Sequence, residues 1–278
     1  LKKVLEELFN FHPLSIEDCF TEMHYPKVDD YGNYLFIVIH APDFTHLETF
    51  ETVEVDVFLG KDFLVTYSRA HVKSTDTLKE KCIKDPKRTF DQGMDMMFYN
   101  LVDSTMDNYN NILDFFEKRI QKFEDEVVDG EITISLKDII LLRNDLKEVR
   151  RIQQPQRELF NRLSKQKFSQ ILDKTRRYMR DTYDAMYRIN DEIDNLRDYI
   201  NSVRDIYMTV EANKMNQVMK TLTVIATIMM PFVVIASIYG MNISLPLGDS
   251  PHSFMLIMII MFFVTVAFMF WFKKKKWL

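Results

Sequence analysis

Residues 221–242 read TLTVIATIMMPFVVIASIYGMN, and this stretch decides how the rest of the chain is arranged. It holds no Asp, Glu, Lys or Arg. The charge-free run continues through Gly248, and a second one extends from Ser250 through Phe272. At about 1.5 Å of rise per residue, helices over Leu222–Tyr239 and Phe254–Phe272 each reach roughly 27–29 Å, close to the hydrocarbon thickness of a bilayer. A buried core helix is the alternative for either run alone; two in succession predict a pair of membrane spans. Lys214 and Lys220 precede the first, Lys273, Lys274, Lys275 and Lys276 follow the second, and the connection between them carries only Asp249 and His252. The positive-inside rule then places both ends in the cytoplasm of a cell (inner or plasma) membrane, with Trp271 and Trp277 as interface anchors.

Upstream, no proline interrupts the chain from Phe168 to Pro231. Apolar or small residues fall at Ile171, Thr175, Tyr178, Thr182, Ala185, Ile189, Ile193, Leu196, Ile200, Val203, Tyr207 and Val210. Their spacings alternate four and three with one extra four at Ile189–Ile193, a heptad seam with a stutter. The pattern predicts a very long stalk helix continuous with the first span. It is compatible with an oligomer, with an antiparallel hairpin against Leu136–Leu163, or with both on different faces.

The N-terminal part reads as α+β. HPLSIEDCF (12–20) is a helix entry with Pro13 in the first turn. Three β-prone runs follow, at 34–41, 52–59 and 62–68, the last two joined at Gly60-Lys61. From Thr89 helix-compatible sequence runs to Val128 and breaks at Gly130. It resumes at Ser135, where SLKD forms a capping box with Asp in place of Glu, and continues to about Leu163 with a kink expected at Pro155. The 36 basic and 41 acidic residues give no basic footprint for nucleic acid. Cys19 and Cys82 match no metal or redox spacing and read as reduced, structural thiols. The six histidines show no HExxH spacing, and there is no phosphate loop or nucleophile elbow, so no enzyme is expected.

On the first span one helical stripe takes in Asn216, Met219, Leu222, Ala226, Met230, Val233 and Ser237, with Gly240, Met241 and Asn242 just past its end. Polar ends around an apolar middle suit either a pore lining that dewets or an ordinary packing face. The Asn242 amide offers both a carbonyl oxygen and an NH2, so it can hold the waters of a hydrated cation. Gly240 would admit close backbone approach.

YGMN at Tyr239–Asn242, after the proline-interrupted span and before a second span ending in KKKKWL, resembles the CorA family of magnesium channels. HPLSIED, PKVDDYGNYLFIVIH and NKMNQVMKTLTVIATIMMP are similar to its cytoplasmic domain and pore helix. The resemblance implies a funnel-shaped homopentamer in which the first span lines the pore and the second packs outside. Hydrated Mg2+ would be held at Asn242, with Co2+ or Ni2+ also passing. Met219 and Leu222 would form the hydrophobic constriction and Asn216 its cytoplasmic end. It also implies a regulatory Mg2+ between subunits, bridged by residues matching Asp18 and Asp181, with Glu17 and Asp103 at a second site. From the residues alone, Glu17 and Asp18 read as acids in a helix's first turns, and Asp103 and Asp181 as solvated helix faces. ISLPLGDSP departs from the acidic loop frequent in the family, and Val233 and Ser237 stand where Thr and Gly are common. The family's N-terminal α/β region is longer, which implies truncation here.

The expected organisation is a cytoplasmic α/β domain at 1–88, a helical coiled-coil stalk at 89–220, a pore helix at 221–242, an external loop at 243–253, a second transmembrane helix at 254–272 and a basic cytoplasmic tail at 273–278. The partners expected are further copies of the chain, the lipid bilayer and divalent cations. A Zn2+, Co2+ or Ni2+ transporter of the same architecture, and a membrane-anchored coiled-coil scaffold, are the alternatives to a Mg2+ influx channel.

Overall fold

The computed structural model describes residues 2–21, 24–43, 50–130, 133–241, 252–275 and 277. Within them the chain divides into two compact units, Leu1–Asp205 and Ile206–Leu278.

The first unit opens with a π-helical turn, Val4–Leu8, followed by α1 (Pro13–Phe20). Pro13 sits where a missing N–H costs nothing, and His12 Nδ1 accepts from the Leu14 N–H at 3.2 Å. Four strands form an antiparallel meander in sequence order: β1 (Lys27–Asp30), β2 (Tyr34–Asp43), β3 (Glu51–Gly60) and β4 (Leu64–Ser68). Three β-runs were expected. The additional strand, β1, is too short and too charged (KVDD) to read as one, and exists because it pairs Lys27↔Val38 through Asp30↔Leu35. Asp62 and Phe63 belong to the turn that the Gly60 N–H closes onto Phe63 O at 2.9 Å, so β4 starts at Leu64.

β2 is buried on both faces. Tyr34, Phe36 and Val38 join Leu5, Phe11, Ile16, Cys19 and Phe58 in the core beneath α1. Leu35, Ile37 and Ile39 point the other way and are equally buried. Where β1 ends, helices take over the pairing of β2: the His40 N–H donates to Gln156 Oε1 at 2.7 Å, and the Tyr109 hydroxyl donates to His40 O at 3.1 Å. A buried strand edge thus keeps its backbone groups satisfied by side chains.

The helical part starts earlier than the sequence reading placed it, with α2 (Lys73–Lys84) and α3 (Pro86–Phe90). α4 (Met94–Asp129) ends at Gly130, whose φ of 76° is the left-handed conformation that glycine adopts without penalty. α5 (Leu136–Lys165) carries the expected capping box, Ser135 and Asp138 bonding reciprocally, and continues through Pro155. α6 (Asp173–Tyr239) is continuous over 67 residues and starts five residues later than expected.

The seam on α6 is shifted by one residue in two places. Tyr178 is 38 % exposed and Ala185 half-buried, whereas Met179 and Met186 are fully buried. The buried stripe is therefore Thr175, Met179, Thr182, Met186, Ile189, Ile193, Leu196, Ile200 and Val203, an unbroken alternation of four and three with no stutter. Flexible thioethers fill the space that a Tyr or Ala would strain or leave empty. Within the unit this stripe is covered by the same chain. Arg150 of α5 pairs with Asp194 at 3.0 Å, Tyr199 donates to Glu124 of α4 at 2.5 Å, and the Arg157 guanidinium lies 5.8 Å from the Tyr187 ring.

In the second unit, α6 is followed by α7 (Ser253–Lys274). Each of the two helices contains an 18-residue stretch apolar enough to cross a membrane, with mean hydropathies of 2.2 and 2.6. α6 continues through Pro231, which has no N–H to give to the Thr227 carbonyl one turn earlier.

Candidate functional site

Two groups of residues were singled out by the sequence, and each lies within one unit. On α6 of the second unit, Asn216, Met219, Leu222, Ala226, Met230, Val233 and Ser237 are all exposed. Met219, Leu222, Met230 and Val233 keep 53–68 % of their surface. The positions that lose surface, Val224, Thr227, Ile228, Pro231, Phe232 and Ile235, fall on the opposite side of the same helix. Among the described residues the stripe is the exposed side of the helix. Past its end the Gly240 N–H donates to Ala236 O at 2.9 Å, closing the last turn. A Cβ at Gly240 would lie 3.1 Å from that carbonyl, so glycine here serves a tight helix end and not a left-handed turn. Met241 follows it, exposed. Asn242, residues 243–251 of the connecting loop and Lys276 lie outside the described residues.

In the first unit, α1 presents Glu17 outward because Ser15, Ile16 and Cys19 take the inner face. Ser15 is tied to the Tyr34 hydroxyl at 2.9 Å, which fixes the helix on the sheet. Asp18, half-buried, is not a free carboxylate. Lys27 Nζ lies 2.6 Å from its Oδ2 and 3.1 Å from Asp29 Oδ2, and His24 Nε2 is 3.7 Å from Oδ1. The sequence reading passed over both partners, because a Lys in PKVDD looks like an ordinary exposed charge until β1 folds beside α1. Beneath them Asp56 is buried and raised to about 7, first by desolvation and then by Glu54. Cys19, beside it, is pushed well above the thiol range by burial, which fits a structural thiol and not a nucleophile.

Asp103 on α4 is bonded to a residue the sequence did not flag, and Asp181 on α6 is close enough to that residue to act on it electrostatically. The Tyr99 hydroxyl donates to Asp103 Oδ1 at 3.4 Å, and its ring lies 5.1 Å from that of Tyr178. Burial, then Asp103, then Asp181 raise the Tyr99 hydroxyl. Asp103 is itself raised by desolvation and by Asp107. These donors are hard carboxylate oxygens, which suit Mg2+. Among the described residues, no three His, Cys, Asp or Glu side chains of one chain lie together so as to hold a metal ion.

Comparison with known proteins follows the same outline. The family described as "CorA-like Mg2+ transporter protein" matches residues 2–274. A putative metal ion transporter of Bacillus subtilis, YfjQ, is 32 % identical over 275 residues, 99 % of this chain and 85 % of that protein. The cobalt/magnesium transport protein CorA of Thermotoga maritima is 32 % identical over 276 residues, 98 % of this chain and 78 % of that protein. The zinc transport protein ZntB of Pectobacterium carotovorum is 24 % identical over 229 residues, 82 % and 69 % of the two chains. Among solved structures, the complete CorA magnesium transporter of Methanocaldococcus jannaschii superposes with a TM-score of 0.88 at 23 % identity, covering 100 % of this chain and 87 % of that one. It shares the fold.

Proposed function

We infer that this chain, which belongs to the CorA-like family of Mg2+ transporters, is the subunit of a homopentameric Mg2+ influx channel in the cell membrane with both termini in the cytoplasm. The observation that carries the reading is the α6 stripe: seven positions from Asn216 to Ser237 on one face, all exposed, with the covered positions opposite. Five copies arranged with these faces inward would enclose a path with an amide at each end, Asn216 and Asn242, and a narrow apolar stretch at Met219, Leu222, Ala226 and Met230. Mg2+ gives up water reluctantly and demands near-octahedral oxygen geometry. A ring of neutral amide carbonyls can hold the hydrated ion without that cost and release it again. Carboxylates in its place would bind more tightly and slow the exit.

On the cytoplasmic side, Asp18 and Glu17 of one subunit facing Asp181 and Asp103 of the next would share bound Mg2+. With the ion present, opposed carboxylates are bridged; without it they repel. Two like charges about 4 Å apart cost roughly 1–4 kcal/mol depending on screening. Summed over several interfaces, that is enough to move a gate that needs about 5.5 kcal/mol to swing from 1:99 to 99:1. This gives closure by cytosolic Mg2+.

The zinc-named relatives keep Zn2+ as a second reading, with Co2+ or Ni2+ as further cargo. Uptake of Mg2+ into liposomes by the purified chain, with Zn2+ and Co2+ as competitors, ranks them. Mg2+ uptake that Asn242→Ala abolishes is the expected result. Uptake unchanged in both Asn242→Ala and Asn242→Asp overturns the pore assignment, and Zn2+ uptake without Mg2+ uptake overturns the cargo.

A further inference from the structure

Lys27 places a permanent positive charge against the carboxylate assigned above to the regulatory ion. β1 alternates its side chains, so Lys27 and Asp29, two residues apart, share a face next to α1. The ammonium lies between two acids, 2.6 Å from Asp18 Oδ2 and 3.1 Å from Asp29 Oδ2, with the Phe36 ring centroid 5.5 Å away. Partial burial opposes its charge, and the hydrogen bonds and attraction of both acids more than offset that. Among the described residues His24 also faces Asp18, at 3.7 Å, and is itself 3.6 Å from Glu54 of β3.

An ammonium on one oxygen of a carboxylate weakens the hold of a divalent ion on the same group, and the ion weakens the ammonium's. Mg2+ binds oxygen at about 2.0–2.1 Å, and the repulsion between the two cations grows as water leaves. We propose that Lys27 is a built-in competitor for the divalent ion at Asp18, and that Asp29 is the carboxylate that keeps the lysine when the ion takes its place. The lysine stem is flexible, and Lys27 and Asp29 both line a cleft of about 730 Å3 whose other charged residues are Glu158, Arg162 and Lys165, so the ammonium has room there and Asp29 as its partner. On this arrangement the Mg2+ concentration that closes the channel is set by the contest for Asp18 as well as by the affinity of the acids. The inference rests on the reading of Asp18 as a ligand of the regulatory ion.

The two positions make opposite predictions, which a purely structural role would not. The full chain in detergent is titrated with MgCl2 at constant ionic strength, and the thermal midpoint reports ion binding because a bound ligand stabilises the folded form. Lys27→Met is expected to lower the Mg2+ concentration for half-maximal stabilisation about three- to fivefold, the size of effect expected for a partly exposed charge pair. Asp29→Asn is expected to raise it by about twofold, because the ammonium is left with Asp18 alone. Lys27→Arg keeps the wild-type value. If Asp18→Asn leaves the stabilisation by Mg2+ intact, the regulatory reading of Asp18 fails and the inference fails with it. If Asp18→Asn removes the stabilisation but Lys27→Met leaves the half-point in place or raises it, the lysine inference alone is overturned. Should Lys27→Met not fold, Asp29→Asn decides: a half-point that falls or stays fixed overturns the proposal.

Discussion

α6 carries two apolar stripes of the same periodicity that meet different fates. From Thr175 to Val203 the stripe is buried by side chains of the same chain, with Met179, Met186, Ile193 and Ile200 fully inaccessible. From Met219 to Ser237 the steps are again three and four, yet every member is exposed. Periodicity says that a helix face will be covered; it does not say by what. The first stripe is completed by α4 and α5. The second is left for lipid, water or further copies of the chain, and membrane helices associate through packing without a hydrophobic drive. The first unit therefore covers its own stripe, whereas the stripe of the second is exposed.

That contrast can be broken by experiment. Ile193→Ala should destabilise the first unit by roughly 2–5 kcal/mol, as for other truncations that leave a core cavity. A loss below about 1 kcal/mol in a chemical unfolding curve would mean that the seam is not packed by its own chain.

Asp56 asks whether the first unit also carries its polar costs internally. Its carboxyl is raised to about 7 by burial, so the folded state holds the proton more tightly than the unfolded chain. That stability is fully present below about pH 4 and is lost as pH climbs through about 7. Asp56→Asn removes the dependence, and its gain in stability at pH 8 should exceed that at pH 5 by about 2–3 kcal/mol. A variant whose stability tracks the parent at both pH values would show that the carboxyl is not protonated in the fold.

Ser135→Ala cuts the reciprocal cap of α5 and should cost about 1 kcal/mol. Leu222→Ala, on the exposed stripe, should change unfolding of the first unit by less than about 0.5 kcal/mol while altering Mg2+ flux in liposomes. An unfolding loss as large as that of Ile193→Ala would erase the distinction between the stripes.

Local chemistry made several features readable from sequence. The SLKD box, Pro13 in its first turn, Gly130 and the two apolar runs each act through neighbours a few residues apart, and each appears where expected. Features set by distant partners did not show. β1 is a strand only because β2 lies beside it, and Met179 takes the core position while the Tyr178 ring lies against Tyr99 of α4. The candidate site divides the same way. The acids were visible as residue types, but the Lys27 ammonium on Asp18 and the Tyr99 hydroxyl on Asp103 needed the folded chain to bring them there.

Pro231 gives the exposed stretch of α6 a mechanical property. With no amide hydrogen to return to the Thr227 carbonyl, one rung of the helical ladder is absent partway along the span. The rod is softest there, and the segment from Phe232 to Tyr239 can tilt about that point without breaking any further rung. A bend with its fulcrum at Pro231 turns a small angular movement into a larger sideways displacement at Gly240 and Met241 than nearer the proline.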